Sequence, residues 1–147
     1  MMLSEKEAQI TSKPITYVHK IPIGKTKIFW EKLKEGKIYA TKCKKCGSLY
    51  YPPQVDCPRC LISEIEWIKL SEEAVLETYT HVYAKPQGFT QYAPYIIAIA
   101  KTLEGVKVMG WLEEINPTEI KAGIKLKIIT KTISEEHITI VFKPAKF

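Results

Sequence analysis

Four cysteines, the only ones in the chain, are arranged as two CxxC pairs. Cys43 and Cys46 form the first pair, Cys57 and Cys60 form the second, and ten residues separate the pairs. Two such pairs allow four thiolates to converge on one tetrahedral zinc ion. A site with four thiolates has no open coordination position, so the predicted zinc is structural and does not activate water. A redox-active dithiol and an accidental pattern remain as alternatives.

Outside the cysteines, residues capable of acid–base or nucleophilic chemistry form no constellation, and the glutamates are scattered over positions expected at the surface. The chain has one aspartate, Asp56, beside Cys57, and three histidines, His19, His81 and His137. A hydrolase or transferase of the usual kinds needs a nucleophile with a base, or two convergent acids, and the sequence pattern contains neither. Each histidine is more consistent with a structural or solvated role. We therefore expect a protein that is not itself an enzyme.

The positive charge of the chain is concentrated in one segment. The formal net charge is +6, and four thiolates holding Zn²⁺ reduce it to about +4. Residues 20–45 contain nine lysines and two glutamates, whereas residues 67–147 contain ten lysines and nine glutamates. The apolar stretch Ala93 to Ala100 is too short to span a bilayer, and the acidic N-terminus is unlike a secretory signal. Because its cysteines are expected to bind zinc rather than to form disulfides, we expect the protein in the reducing cytoplasm.

A short helix is predicted ahead of the cysteines. Residues 1–23 show little periodicity and indicate an arm, whereas residues 25–35 have helical periodicity that ends at Gly36. Phe29, Trp30 and Leu33 are expected on one face. We interpret Phe29 and Trp30 as anchors that hold the helix on the fold; the alternative is that they dock a partner protein.

The remaining pattern is that of short strands, so the fold class is mainly β. Ribbon strands are predicted at Ile38 to Lys42, Leu49 to Tyr51 and Glu66 to Ile68 around the cysteines. Five further strands are predicted at Ala74 to Ala84, Tyr95 to Thr102, Val106 to Leu112, Ile124 to Thr132 and Ile138 to Lys143.

Asn116 and Pro117 supply N-cap and N1 signals for a short helix between the third and fourth of these five strands. Three strands, a short helix and two strands is the order of an OB-fold barrel. We therefore predict an N-terminal arm and helix at residues 1–37, a rubredoxin-like zinc ribbon at 38–66 and a five-stranded OB-fold barrel at 67–147.

This combination resembles the acyl-CoA-associated family of zinc-ribbon and OB-fold proteins long catalogued as domain of unknown function thirty-five. The resemblance covers residues 24–143. It is carried by Phe29-Trp30, Gly36-Lys37-Ile38, Cys43-x-x-Cys46-Gly47, Tyr51-Pro52-Pro53, Cys57-Pro58-x-Cys60, Pro94-Tyr95-Ile96-Ile97-Ala98, Glu104-Gly105, Gly110, Asn116-Pro117 and Gly123. Two positions depart from the family pattern: Ala74 replaces a usual glycine, and Ile124 replaces a frequent methionine.

The resemblance implies a non-catalytic accessory subunit that bridges thiolase-fold enzymes, such as acetoacetyl-CoA thiolase or hydroxymethylglutaryl-CoA synthase, and binds a CoA thioester. CoA requires cations for its phosphates and an apolar slot for pantetheine. The candidate residues for these contacts are Lys42, Lys44, Lys45, Tyr79, Phe89, Tyr92 and Trp111. A solvated charged face and ordinary core aromatic residues are the alternative interpretation of these positions.

Nucleic-acid binding is the main rival function, because OB-folds, zinc ribbons and a pI near 9.0 all occur in such proteins. The nearly neutral barrel weighs against it, since binders align aromatic and basic residues along the barrel groove.

Overall fold

The computed structural model describes residues 12–13, 17, 19–84, 86–92, 94–134 and 137–145. Most of the predicted N-terminal arm, namely residues 1–11, 14–16 and 18, lies outside the described residues. So do Glu135 and Glu136 of the predicted turn between the last two strands. Within the described ranges, no helix is long and apolar enough to cross a membrane.

Helix α1 spans Lys27–Lys34 and follows a 3₁₀ turn at Gly24–Thr26. Phe29 and Leu33 lie one turn apart and are buried, whereas Trp30 is 41% exposed. Consecutive residues are about 100° apart around a helix, so the expected common face is buried at Phe29 and Leu33 but not at Trp30, whose ring meets Phe29 edge-on at 5.2 Å. Because Phe29 is buried, only Trp30 remains available for docking a partner. Gly36 has a φ of +80° and ends the helix in the left-handed conformation that glycine favours.

A three-stranded antiparallel ribbon follows α1. Its strands are β1 (Tyr39–Cys43), β2 (Leu49–Tyr50) and β3 (Ile65–Lys69), in the spatial order β2-β1-β3. The buried hydroxyl of Thr41 donates to the Gln54 carbonyl oxygen at 2.8 Å and accepts from the Gln54 N–H at 2.9 Å. This exchange fixes the loop between the two cysteine pairs against the central strand.

The second half forms a closed five-stranded barrel. Its strands are β4 (Glu73–Val82), β5 (Tyr95–Thr102), β6 (Lys107–Leu112), β7 (Lys125–Ser134) and β8 (His137–Pro144), in the order β4-β5-β6-β8-β7. All pairs are antiparallel except β6 with β8, which is parallel. A 3₁₀ turn at Pro117–Glu119 lies between β6 and β7, with Asn116 Oδ1 accepting from the Thr118 N–H. The predicted OB-fold is confirmed.

The ribbon, α1 and the barrel share one apolar core. In β5, residues alternate between the barrel interior and its outer wall, so Ile96, Ala98 and Ala100 are buried while their neighbours are not. Residues from all three parts contribute to the core, among them Phe29, Leu33, Ile38, Ala40, Leu70, Leu76, Val108, Leu126, Ile128 and Phe142. The ribbon therefore does not have a hydrophobic core of its own, because burial of its apolar side chains depends on the barrel.

Gly110 lies at a close approach between β6 and β8. A Cβ atom at this position would lie 2.7 Å from the Ile140 carbonyl oxygen and 3.0 Å from Phe142 Cε2. A backbone oxygen cannot move without displacing β8, so any side chain at residue 110 would disturb the closure of the barrel.

We therefore expect Gly110→Ala to lower the free energy of unfolding by about 1–3 kcal/mol, the usual cost of overpacking. The control is Gly24→Ala, since a Cβ at Gly24 meets nothing within 4 Å and should change stability by less than about 0.5 kcal/mol. Urea unfolding followed by circular dichroism measures both. Equal stability of the two variants would contradict the close approach.

Candidate metal centre and exposed aromatic surfaces

The four cysteines converge at one end of the ribbon. Their Sγ atoms all lie within 4.8 Å of one another. The two CxxC turns have the same backbone hydrogen bond: the Gly47 N–H donates to the Cys43 carbonyl at 2.9 Å, and the Leu61 N–H donates to the Cys57 carbonyl at 2.8 Å. Gly47 and Leu61 both have positive φ, +70° and +55°. The two turns thus present four sulfurs to one point.

This donor set fits a metal ion. Cys46 Sγ and Cys57 Sγ are 3.7 Å apart, and four sulfurs at about 2.3 Å from a tetrahedral zinc lie about 3.8 Å from each other. All four cysteines are free rather than disulfide-bonded. The metal ion would be held by Cys43, Cys46, Cys57 and Cys60, and it would cross-link the two CxxC turns.

The surroundings of the sulfurs favour the thiolate form at two positions. Cys46 Sγ lies 3.2 Å from the Ser48 hydroxyl, and hydrogen bonding to the side chain and backbone of Ser48 lowers the pKa of Cys46 to about 6. The Tyr50 hydroxyl lies 3.3 Å from Cys57 Sγ and lowers the pKa of that thiol. Hydrogen bonding with Cys46 and burial raise the pKa of Cys60 to about 12.

Protons compete with the metal for these sulfurs, so the metal is lost as the pH falls. Ser48→Ala removes a hydrogen bond that lowers the pKa of Cys46, so that pKa rises and protonation competes at a higher pH. We expect the pH of half-release to rise by about half a unit. Metal content after dialysis at stepwise lower pH measures this.

The control for this measurement is Ser63→Ala. It removes another hydroxyl of the ribbon, which donates to Asp56 at 2.6 Å and touches no sulfur. The same shift in both variants would assign the effect to ribbon stability rather than to the pKa of Cys46.

A second cluster consists of four aromatic rings on the outer wall of the barrel. Trp111 stacks on Tyr95 with ring centroids 4.8 Å apart and an interplanar angle of 9°. Tyr92 meets Trp111 edge-on at 5.3 Å, and Phe89 lies 6.4 Å from Trp111. The structure thus brings together three residues singled out by the sequence, Phe89, Tyr92 and Trp111. It adds Tyr95, whose position at a strand start gave no functional signal.

This aromatic cluster continues into an apolar sheet face. The outward residues of β5 and β6 pair as Ile97 with Trp111 and as Ile99 with Met109, and Met109 is 65% exposed. We call Ile97, Ile99, Met109 and the aromatic cluster the outer face. Contiguous exposed apolar surface of this kind on a soluble protein typically marks an interaction site.

Tyr79 does not belong to the outer face. A β-bulge between Leu76 and Thr78 shifts the register of β4, so Tyr79 lies opposite Ala98 on the interior side of the barrel wall. Its ring is 6.0 Å from His81, which stacks on Tyr83 at 5.7 Å. These three residues form a separate aromatic row along β4, and the Tyr79 hydroxyl donates to the Ile120 carbonyl at 3.3 Å.

The candidate lysines lie on the ribbon. Lys42 is within 3.8 Å of Glu66 on the neighbouring strand β3, whereas Lys44 and Lys45 are exposed in the first cysteine turn. On the barrel, Lys107, Lys127 and Lys131 are paired with Glu77, Glu72 and Glu113, and Lys143 is paired with Glu114. These ion pairs offset positive charge of the barrel, so less net positive charge is left there to attract a nucleic-acid backbone.

The sequence contained no signal for a contact between a serine and a histidine. Ser134 Oγ lies 2.7 Å from His137 Nδ1 across the turn between β7 and β8. Both side chains are exposed, and in the described part of the chain no carboxylate is hydrogen-bonded to His137. Water is not excluded there, and among the described residues no third group orients the imidazole as the serine–histidine–acid arrangement of a catalytic triad requires.

Two family models match the chain. The model described as the rubredoxin-like zinc ribbon domain of ChsH2 matches residues 30–66, and the C-terminal OB-fold domain of ChsH2 matches residues 67–131. A DUF35 domain-containing scaffold protein of Methanocaldococcus jannaschii is 33% identical over 109 residues, which are 73% of this chain and 77% of that protein.

Two further similarities are more distant. A probable enoyl-CoA hydratase alpha subunit of Thermomonospora curvata is 24% identical over 143 residues, which are 96% of this chain and 44% of that protein. Among solved structures, an Ltp2-ChsH2(DUF35) aldolase superposes with a TM-score of 0.73 at 22% identity, over 82% of this chain and 94% of that chain. At this identity, the structural similarity establishes the fold alone.

Proposed function

Because the chain belongs to the DUF35 family of zinc-ribbon and OB-fold proteins, we propose that it is a non-catalytic accessory subunit of a thiolase-type acyl-CoA condensing complex. Relatives named as scaffold proteins support an accessory role. The observation that carries the proposal is the outer face, a patch of aromatic and aliphatic side chains that are half-buried or, at Phe89 and Met109, exposed, and that suits a partner protein. The partner is a thiolase-fold enzyme, acetoacetyl-CoA thiolase or hydroxymethylglutaryl-CoA synthase.

Zinc is the proposed metal, with a structural role, and the cytoplasm is the proposed location. Four sulfur ligands with the spacing of a tetrahedral site support zinc. The division into residues 1–37, 38–66 and 67–147 remains our prediction for the three functional parts. Trp30, on the exposed side of α1, is proposed as an additional contact to the partner.

The proposed ligand is a CoA thioester shared with the enzyme. Phe89, Tyr92 and Trp111 lie together and offer apolar walls for the pantetheine chain. The proposed partners of the phosphates are Lys44 and Lys45. Lys42 is a third, for which the phosphates would compete with Glu66. Tyr79 is proposed as a second aromatic wall, on the separate row along β4.

The docking role predicts a specific effect of one exposed residue. Met109→Glu places a charge at the most exposed residue of the outer face, and we expect it to reduce recovery of the condensing enzyme about tenfold in affinity capture from the native lysate. Ile133→Glu is the control, since Ile133 is 49% exposed on β7 and lies outside the outer face. Quantitative mass spectrometry measures the enzyme.

Two results of this capture would contradict the proposal. One is equal recovery of the condensing enzyme by Met109→Glu and the wild-type protein. The other is recovery of nuclease-sensitive RNA or DNA without any condensing enzyme, which would favour the nucleic-acid function.

The ligand role predicts that Phe89→Ala weakens binding of acetyl-CoA to the assembled complex about three- to tenfold, the effect of losing one aromatic contact. Isothermal titration calorimetry measures the affinity. Tyr17→Ala is the matched control, because Tyr17 is an 80% exposed aromatic residue that belongs to neither aromatic group. A loss of affinity with Tyr83→Ala but not with Phe89→Ala would indicate that the ligand binds at the row that contains Tyr79.

A further inference from the structure

Strand β4 is paired on both sides along only part of its length. Its first residues, Glu73–Val75, pair with β7, and the backbone of Leu76 still exchanges hydrogen bonds with Gly123 and Ile124, at 2.7 and 3.0 Å. Beyond the bulge, residues 78–82 pair with β5 alone. On its other side this segment, which we call the β4 edge, has no backbone partner among the described residues.

The β4 edge follows a β-bulge, which is one of the features that protect edge strands, but it lacks the others. Natural edge strands avoid pairing with other chains through lysines, other charges or prolines. The β4 edge reads Thr-Tyr-Thr-His-Val, which contains none of these and consists mainly of residues that favour strands. The edge strand β3 of the ribbon differs, since it carries Glu66 and Lys69. The β4 edge therefore has the composition of a strand that accepts another strand.

The side chains beside the β4 edge are exposed on both faces. Thr78 and Thr80 are exposed on the outer side. On the inner side the aromatic row is open to solvent, with Tyr79 38% and Tyr83 70% exposed. An incoming strand would thus gain side-chain contacts on both faces as well as backbone hydrogen bonds.

We propose that the incoming strand is the β4 edge of a second copy of this chain. Antiparallel pairing about a two-fold axis at Thr80 places Thr80 against Thr80 of the second copy and Tyr79 against His81 of the second copy. Thr–Thr and aromatic cross-strand pairs are both stabilising. The edge is therefore complementary to itself, as a two-fold interface requires.

Charge is compatible with this pairing. The nearest acid in sequence, Glu77, forms an ion pair with Lys107 at 2.6 Å, and in the two-fold arrangement it lies opposite Tyr83 of the second copy. No like charges meet across the axis. Five residues of strand extend about 17 Å, so the interface is small and the dimer is weak and depends on concentration.

Sedimentation equilibrium of the full chain over a range of concentrations tests this interface. We expect a reversible monomer–dimer equilibrium for the wild-type protein. Thr80→Lys places two like charges against each other on the axis and should raise the dimer Kd at least about tenfold. Thr132→Lys adds the same charge at another exposed threonine, on β7, and should leave the Kd unchanged.

A charge exchange identifies the axis itself. Thr80→Glu should also dissociate the dimer, and an equimolar mixture of Thr80→Lys and Thr80→Glu should restore dimers, because opposite charges then meet. A wild-type protein that stays monomeric throughout, or a dimer that Thr80→Lys leaves intact, would overturn the proposal. The β4 edge adjoins the outer face, since Thr80 lies opposite Ile97. The dimer is measured on the chain alone, without any enzyme, so either proposal can fail without the other.

Discussion

The convergence of four sulfurs at one end of β1 is the constraint on which the N-terminal half depends. The ribbon strands are short, and β2 has only two residues, so strand pairing alone gives the ribbon little stability. Cys43 ends β1, while Ala40 of the same strand is buried in the core shared with the barrel. One strand therefore joins the metal centre to the barrel, and the cross-link at its end fixes the orientation of the whole ribbon.

This arrangement leaves two surfaces of the described barrel open. The ribbon and α1 contribute to the barrel core through Phe29, Leu33 and Ile38, which leaves the outer walls of β5 and β6 uncovered. A scaffold needs at least two attachment sites. In the proposed scaffold role the outer face would be one, and pairing of the β4 edges of two copies would add the second, since a two-fold dimer would present two outer faces to two enzymes.

Much of the fold could be predicted because its signals are local. The CxxC spacing predicts that four sulfurs converge, which they do, and β5 begins and ends at the predicted residues because its period-two pattern is interrupted by turns on both sides. The burial of Trp30 was harder to predict, because a step of one residue turns a side chain by about 100° around the helix, which is enough to move it from the core to solvent.

The grouping of the aromatic residues was harder to predict. Simple alternation from Val75 would place Tyr79 on the outer wall with Phe89 and Trp111. The bulge at Glu77 adds one residue to the strand and turns Tyr79 to the other side. Tyr95 joins the cluster through pairing between distant strands, which no local pattern records. Sequence periodicity thus located the strands, while register determined which side chains meet.

Amide hydrogen–deuterium exchange would test the central claim, that this chain serves an acyl-CoA condensing enzyme through its barrel wall. The exchange is measured for the chain alone and for the chain with purified acetoacetyl-CoA thiolase. Our account predicts slower exchange in β5, in β6 and in the loop at residues 86–92 when the enzyme is present. Complex formation that leaves exchange in these segments unchanged would contradict it.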